Sequence, residues 1–226
     1  MDIIEHIHNV TLFKGVSAES LKLLASRATQ KIFKPNELVI GETDPIRAFY
    51  VVVSGKLKLY KSSSEGKEQT LYLLGPGDPF GLCTAFATDS FPASAMSISE
   101  STVMIIPGEL IETIAKKEPP LLLNIIQILS QRLKDSMTLI ESLALKEIPG
   151  RLSSFLLHAL AKDTIEKKHK LELTISQREL SKILGATPEA LSRTLRKMSN
   201  DEILSVEGRM ITILNRKAIE ELAQVD

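Results

Sequence analysis

Residues 176–198, SQRELSKILGATPEALSRTLRKM, have the grammar of two short helices joined by a tight turn. Leu180, Ile183 and Leu184 give the first helix an apolar face, and Gly185 allows the chain to reverse between the two. Thr187 is a good N-cap for the second helix, with Pro188 at its first position and Ala190 where a full capping box would carry Glu. Leu191, Leu195 and Met198, spaced four and three, predict its buried side. That burial turns Glu189, Ser192, Arg193 and Arg196 outward on successive turns, the geometry a helix needs to enter a major groove. Arginine can give two hydrogen bonds to guanine, and glutamate can accept from the cytosine amino group. The same pattern also fits an ordinary helical hairpin with a solvated charged face.

The segment C-terminal to these helices favours the DNA-reading alternative. Ile203 to Ile213 reads as two short strands around Gly208, the wing of a winged helix. Between Ser176 and Lys217 eight Lys/Arg stand against five Asp/Glu, a local excess of three positive charges available to phosphates. The whole chain has formal net charge zero, so any attraction to nucleic acid must come from this local surface.

Upstream lie an alternating run, Leu171 to Ile175, a polar stretch with Lys167, Lys168 and Lys170, and a helix expected from Arg151 to about Ala161. Glu147–Ile148–Pro149–Gly150 predicts an interruption and a hinge, because proline and glycine both disfavour helix continuation. Before it, Ile126, Leu129, Leu133, Ser136, Ile140 and Leu143 are spaced 3, 4, 3, 4, 3, the a/d seam of a coiled coil with one polar member. Pro119–Pro120 stands where such a helix begins. A second copy packed in parallel would cover the stripe; the alternative is that it packs within the chain against a β domain.

Between Glu37 and Ile106 the short runs Leu38–Ile40, Phe49–Val53, Leu57–Tyr60, Thr70–Leu74 and Thr102–Ile106 predict antiparallel strands, with tight turns at Gly55 and Gly66. Ser17 caps a short helix running to about Ala28. With 226 residues, 43% hydrophobic and 25% charged, the chain is long enough for two cores and ordinary for a folded protein. Its one cysteine, Cys83, excludes an internal disulfide and a protein-held iron–sulfur cluster. The first thirty residues hold no signal-peptide core and no later stretch approaches a membrane span, which predicts a cytoplasmic protein. We find no HExxH, P-loop, nucleophile elbow or paired-carboxylate motif, and the four histidines form no recognisable set, so no enzyme is expected.

In Ala48–Lys58 (AFYVVVSGKLK) and Gly75–Gly81 (GPGDPFG), succeeded in order by the long helix and the winged segment, the chain resembles the CRP/FNR superfamily over essentially its whole length. The resemblance implies an α+β fold: an antiparallel β-roll of the cyclic-nucleotide-binding type over residues 1–118, a dimerisation helix over 119–147, and a winged helix-turn-helix DNA-binding domain over 148–226. It implies a homodimeric transcription activator that binds double-stranded DNA, meets RNA polymerase and answers to a small-molecule or gas effector. Pro188 to Arg193 is similar to the Glu-x-x-Ser-Arg arrangement of the FNR branch and its nitric-oxide-responsive relatives, which implies TTGA-type half-sites in a palindrome. By the same resemblance Ser176, Arg178, Thr187 and Arg209 are phosphate contacts, which position the protein without reading sequence.

Cyclic-nucleotide-binding members hold ribose and phosphate with a Gly-Glu and an Arg-Ser pair. Here Gly81 is followed by Leu82, and Ala93–Ser94 stands in place of Arg-Ser. A phosphate without that arginine loses its charge-assisted partner, roughly 2 kcal/mol or more, so cyclic AMP is not the expected effector. No cysteine precedes Cys83, which excludes the N-terminal cluster by which FNR senses oxygen. Another ligand, a haem reporting a diatomic gas, and redox chemistry at Cys83 stay open. Cys83, His6 and His8 are candidate haem ligands; the alternatives are a small buried hydrophobe for Cys83 and an exposed N-terminal segment for the histidines. His158 reads as a core residue. Ser136 and Met137 fall where the family's effector touches the dimer helix, though Ser136 could equally set helix register. The rival reading is a cyclic-nucleotide-type regulatory module that does not act on DNA.

Overall fold

The computed structural model describes residues 3–86, 90–162 and 169–224, with the side chains of Asn9, Cys83, Thr84 and Lys162 excepted. Lys167 and Lys168 lie outside the described residues. The chain forms two compact units, Met1–Lys134 and Asp135–Asp226.

The first unit is built on two four-stranded antiparallel sheets. Its strands are β1 (Thr29–Phe33), β2 (Leu38–Ile40), β3 (Ala48–Ser54), β4 (Leu57–Ser62), β5 (Glu68–Leu74), β6 (Pro79–Phe80), β7 (Ser94–Ser97) and β8 (Ser101–Pro107). One sheet has the order β1-β8-β3-β6, the other β2-β7-β4-β5. The hairpin glycines Gly55 and Gly66 have φ of +85° and +80°, the left-handed backbone their turns require. A strand with one wet face should alternate apolar and polar residues, yet β3 is apolar almost throughout. The structure gives the reason. Ala48, Tyr50 and Val52 point into the roll with Leu57, Leu59, Leu74, Phe80 and Phe91, while Phe49 and Val51 point the other way, into a second core.

That second core is helical and has little local signature in the sequence. It joins α1 (Ile3–Asn9), a 3-10 turn (Thr11–Phe13), α2 (Ala18–Arg27), α3 (Leu82–Phe86), α4 (Gly108–Lys117) and the start of α5 (Pro119–Leu145) through Ile7, Leu12, Phe13, Leu24, Ala85, Ile111, Ile114, Leu121 and Ile125. Ser17 caps α2, accepting from the Ser20 amide. The expectation of an exposed N-terminal segment is corrected here. Ile7 is wholly buried, so the segment is a packed helix, with His6 half-buried and His8 exposed.

The long helix begins at Pro119, as the paired prolines predict. Leu121 and Ile125 face the core, and the Asn124 amide donates to the carbonyls of Leu12 (2.8 Å) and Lys14 (2.9 Å). The opposite stripe is bare: Leu122, Ile126, Leu129, Leu133, Met137 and Ile140 are all exposed, with Leu133 and Ile140 at 64% and 65%. Four members of the predicted seam, Ile126, Leu129, Leu133 and Ile140, are thus exposed while Ser136 and Leu143 are half-buried, and the exposed row starts one turn earlier than the spacing suggested, at Leu122.

The second unit holds the end of α5, then α6 (Ile148–Lys162), β9 (Lys170–Glu172), α7 (Gln177–Ile183), α8 (Pro188–Asn200), β10 (Leu204–Glu207), β11 (Met210–Ile213) and α9 (Arg216–Ala223). Its strands pair antiparallel in the order β10-β11-β9. Two expectations are corrected. The break between α5 and α6 spans only Lys146 and Glu147, and Pro149 and Gly150 form the first turn of α6, where proline costs no hydrogen bond. His158 is exposed and not in the core, because α6 buries Leu152, Ser153 and Leu156, and a residue two places beyond Leu156 turns to the far side.

Candidate nucleic-acid interface

Local capping sets the paired helices. The Ser176 hydroxyl accepts from the Glu179 amide (3.1 Å) and starts α7; the Thr187 hydroxyl accepts from the Ala190 amide (3.2 Å) and starts α8, with Pro188 in its first turn. Gly185, at φ +61°, turns the chain between them. Leu180, Leu184, Leu191, Leu195 and Met198 are buried, which fixes how α8 is rolled. Glu189, Ser192, Arg193 and Arg196 are consequently exposed, all on the side that their spacing assigns to base contact. Lys197, which the spacing did not single out, is exposed beside them.

Arg178 is exposed on the first turns of α7, and Ser176 and Thr187 sit at helix N-termini. There free amides and the positive end of the helix dipole suit a phosphate oxygen. Arg209 is exposed at the β10–β11 turn beside Gly208, whose φ is +62°. The wing tip is anchored from below, since the Leu173 amide donates to the Arg209 carbonyl (2.8 Å). One unit thus presents an acceptor, a hydroxyl and cations on one helix, with further cations on the flanking helix and wing. This is the chemistry of direct base reading framed by phosphate positioning.

The residues suggested for an effector scatter over the first unit. Gly81, at φ +81°, lies against the Ala48 carbonyl, and a Cβ there would stand 2.7 Å from that oxygen. Leu82 packs into the helical core while Ala93 packs into the roll, so these two belong to different clusters. The Ser94 hydroxyl accepts from the Glu42 amide (3.0 Å). Cys83 belongs to α3, with its side chain outside the described residues. On α5, Ser136 is half-buried and Met137 exposed, and Leu143 at the end of the seam is half-buried. Among the described residues no group of three His, Cys, Asp or Glu side chains could hold a metal ion. Sequence reasoning missed Tyr72, whose hydroxyl donates to the Arg132 carbonyl of α5, and Arg132 itself, which donates to the Pro79 carbonyl. Neither has a local signature, because each pair is brought together only by the docking of α5.

No described helix is long and apolar enough to cross a membrane. Comparison with known proteins gives two family matches: the Cyclic nucleotide-binding domain over residues 30–118 and the Crp-like helix-turn-helix domain over residues 150–222. The chain is 32% identical to the fumarate and nitrate reduction regulatory protein of Vibrio cholerae over 184 residues, 80% of this chain and 73% of that protein. It is 22% identical over 215 residues to the CRP-like cAMP-activated global transcriptional regulator of Mycobacterium tuberculosis, covering 94% and 96% of the two chains. The solved structure of FixK2 from Bradyrhizobium japonicum superposes with a TM-score of 0.77 at 26% identity, over 88% of this chain and 98% of that one. With a cyclic-nucleotide-binding-like β domain, a long helix and a winged helix-turn-helix in this order, the chain belongs to the CRP/FNR family of DNA-binding transcription regulators.

Proposed function

We propose that the protein acts in the bacterial cytoplasm as a homodimer that reads a TTGA-type palindrome and regulates transcription, as an activator that meets RNA polymerase, under control of a small effector. The observation that carries this reading is the roll of α8, which buries Leu191, Leu195 and Met198 and leaves Glu189, Ser192 and Arg193 free for base edges. The exposed stripe from Leu122 to Ile140 supports dimerisation through α5, since a row of large apolar side chains this long is normally covered by a partner. Two copies joined there would place their recognition helices in successive major grooves, roughly 34 Å apart. The effector shifts the population between helix-pair arrangements that do and do not match this spacing. The exposed face of α8 also disfavours the rival module that leaves DNA alone.

Cyclic AMP is a poor fit for the effector. The position where the family's arginine meets the phosphate is Ala93, buried in the roll, and the glutamate position is Leu82, buried in another cluster. Of the candidate haem ligands, His6 is half-buried and His8 exposed on α1, and the Cys83 side chain lies outside the described residues. We therefore read the effector as a soluble metabolite in place of cyclic AMP, with haem reporting nitric oxide as the alternative that the absorption spectrum decides.

Fluorescence anisotropy with a TTGA palindrome and a scrambled duplex tests the DNA reading: preference for the palindrome supports it, and equal affinity at every salt concentration refutes it. The absorption spectrum of protein expressed with added haem tests the effector reading. A stoichiometric Soret band shifted by nitric oxide would replace the metabolite by the gas.

A further inference from the structure

The end of α5 and the turn before α8 are joined by one side chain. Arg151, half-buried on α6, donates from Nε to the Lys146 carbonyl (2.8 Å), from Nη2 to the Leu143 carbonyl (3.0 Å) and from Nη1 to the Leu184 carbonyl (3.0 Å). Leu143 and Lys146 lie in and just beyond the last turn of α5, and Leu184 is the C-cap of α7, one residue before Gly185 and three before Thr187. The last carbonyls of a helix have no partner within it and carry the negative end of its dipole, so a cation is favoured at each of these ends. A guanidinium is planar and presents its donors in a fixed fork, so holding three carbonyls from two helix ends also holds those ends relative to one another.

We propose that Arg151 is the positioning residue that transmits movement of the dimer helix to the recognition helix. A shift of α5 displaces the Leu143 and Lys146 oxygens; the rigid fork carries the Leu184 oxygen along, and with it the turn that aims α8. Lys146 performs a parallel task next to it, donating from Nζ to the Ala223 carbonyl (2.6 Å) and to the Ser154 hydroxyl (3.1 Å), which secures the end of α9. Arg151 touches no base in this scheme; it sets where Arg193 and its neighbours stand. The inference rests on the reading of α8 as the DNA-contacting helix.

The experiment uses full-length protein and two variants, Arg151→Gln, which loses the charge and the fork, and Arg151→Lys, which keeps the charge without the fork. Hydrogen exchange read by mass spectrometry reports folding and coupling together. Both variants are expected to exchange faster at residues 143–148 and 184–187 at once, with protection in α6 and β10–β11 retained. Their preference for a TTGA palindrome over a scrambled duplex is expected to fall by roughly tenfold, with lysine rescuing less than half of the loss. Should Arg151→Gln unfold the unit, Arg151→Lys alone carries the comparison. Faster exchange in only one of the two segments, or unchanged operator preference in a folded variant, overturns the proposal. If the parent protein shows no palindrome preference, the DNA reading has failed, and joint exchange of the two segments still decides the coupling.

Discussion

The Cα of Gly150 lies so close to α9 that a Cβ built on it would stand 2.7 Å from the carbonyl oxygen of Leu222. Real Cβ atoms essentially never come this near a backbone oxygen, and the oxygen cannot swing aside without moving α9. Helix propensity alone would make Gly150→Ala stabilising, by less in this first turn than the roughly 1 kcal/mol of a helix interior. The close approach costs more than that, about 1–3 kcal/mol for forcing atoms into a packed contact. The variant is therefore expected to unfold at lower denaturant, followed by far-UV circular dichroism; a midpoint at or above the parent's would show that α6 and α9 do not pack this way.

Arg193 on α8 and Arg178 on α7 are both exposed cations, and the proposed reading gives them different tasks. Arg193→Ala should cost about 1–3 kcal/mol on the palindrome and little on scrambled DNA, narrowing the preference between them. Arg178→Ala should weaken both duplexes to a similar degree and reduce the salt slope by about one. Titrations of the two duplexes at several salt concentrations separate these outcomes, and a uniform loss for Arg193→Ala would make it a phosphate contact.

Glu118, just before α5, accepts hydrogen bonds from the hydroxyls of Ser17 and Ser20, the latter at 2.6 Å. These bonds, Ser17's first and Ser20's second, hold its pKa below the ordinary 4.5. A carboxylate depressed in the folded state contributes stability that is fully present above its unfolded value and is lost as pH falls through the folded one. Acid titration of stability should thus show a loss beginning near pH 4.5 and continuing below it. In a Ser17→Ala, Ser20→Ala double variant that component should shrink; an unchanged acid profile would mean that Glu118 adds nothing to the docking of α2 on α5.

The sequence disclosed most where structure is made locally. Ser176, Gly185, Thr187, Pro188 and Gly208 act within a few residues of themselves, and α7, α8 and the wing stand where those residues place them. It disclosed less where burial comes from distant partners. Strand β1, Thr29–Phe33, is an edge strand with four exposed residues, so it lacks the apolar alternation that marks a strand. Pro149 and Gly150 read as a stop and serve as a start, since proline suits both sides of a helix boundary. The fork of Arg151 was invisible because three carbonyls from two helices meet it only after folding.

Two chains clasped along α5 and seated together on one palindrome are the central claim, and stoichiometry on DNA tests it most directly. Sedimentation equilibrium of the protein with a labelled TTGA palindrome, repeated for Leu133→Glu, gives the number of chains per duplex. Two chains of parent protein are predicted on each duplex. Separated chains are predicted for Leu133→Glu, which sets a charge in the middle of the exposed stripe, with affinity reduced by roughly a hundredfold or more. A parent protein that binds as a single chain, or a Leu133→Glu variant that still binds as a pair with undiminished affinity, would contradict the claim.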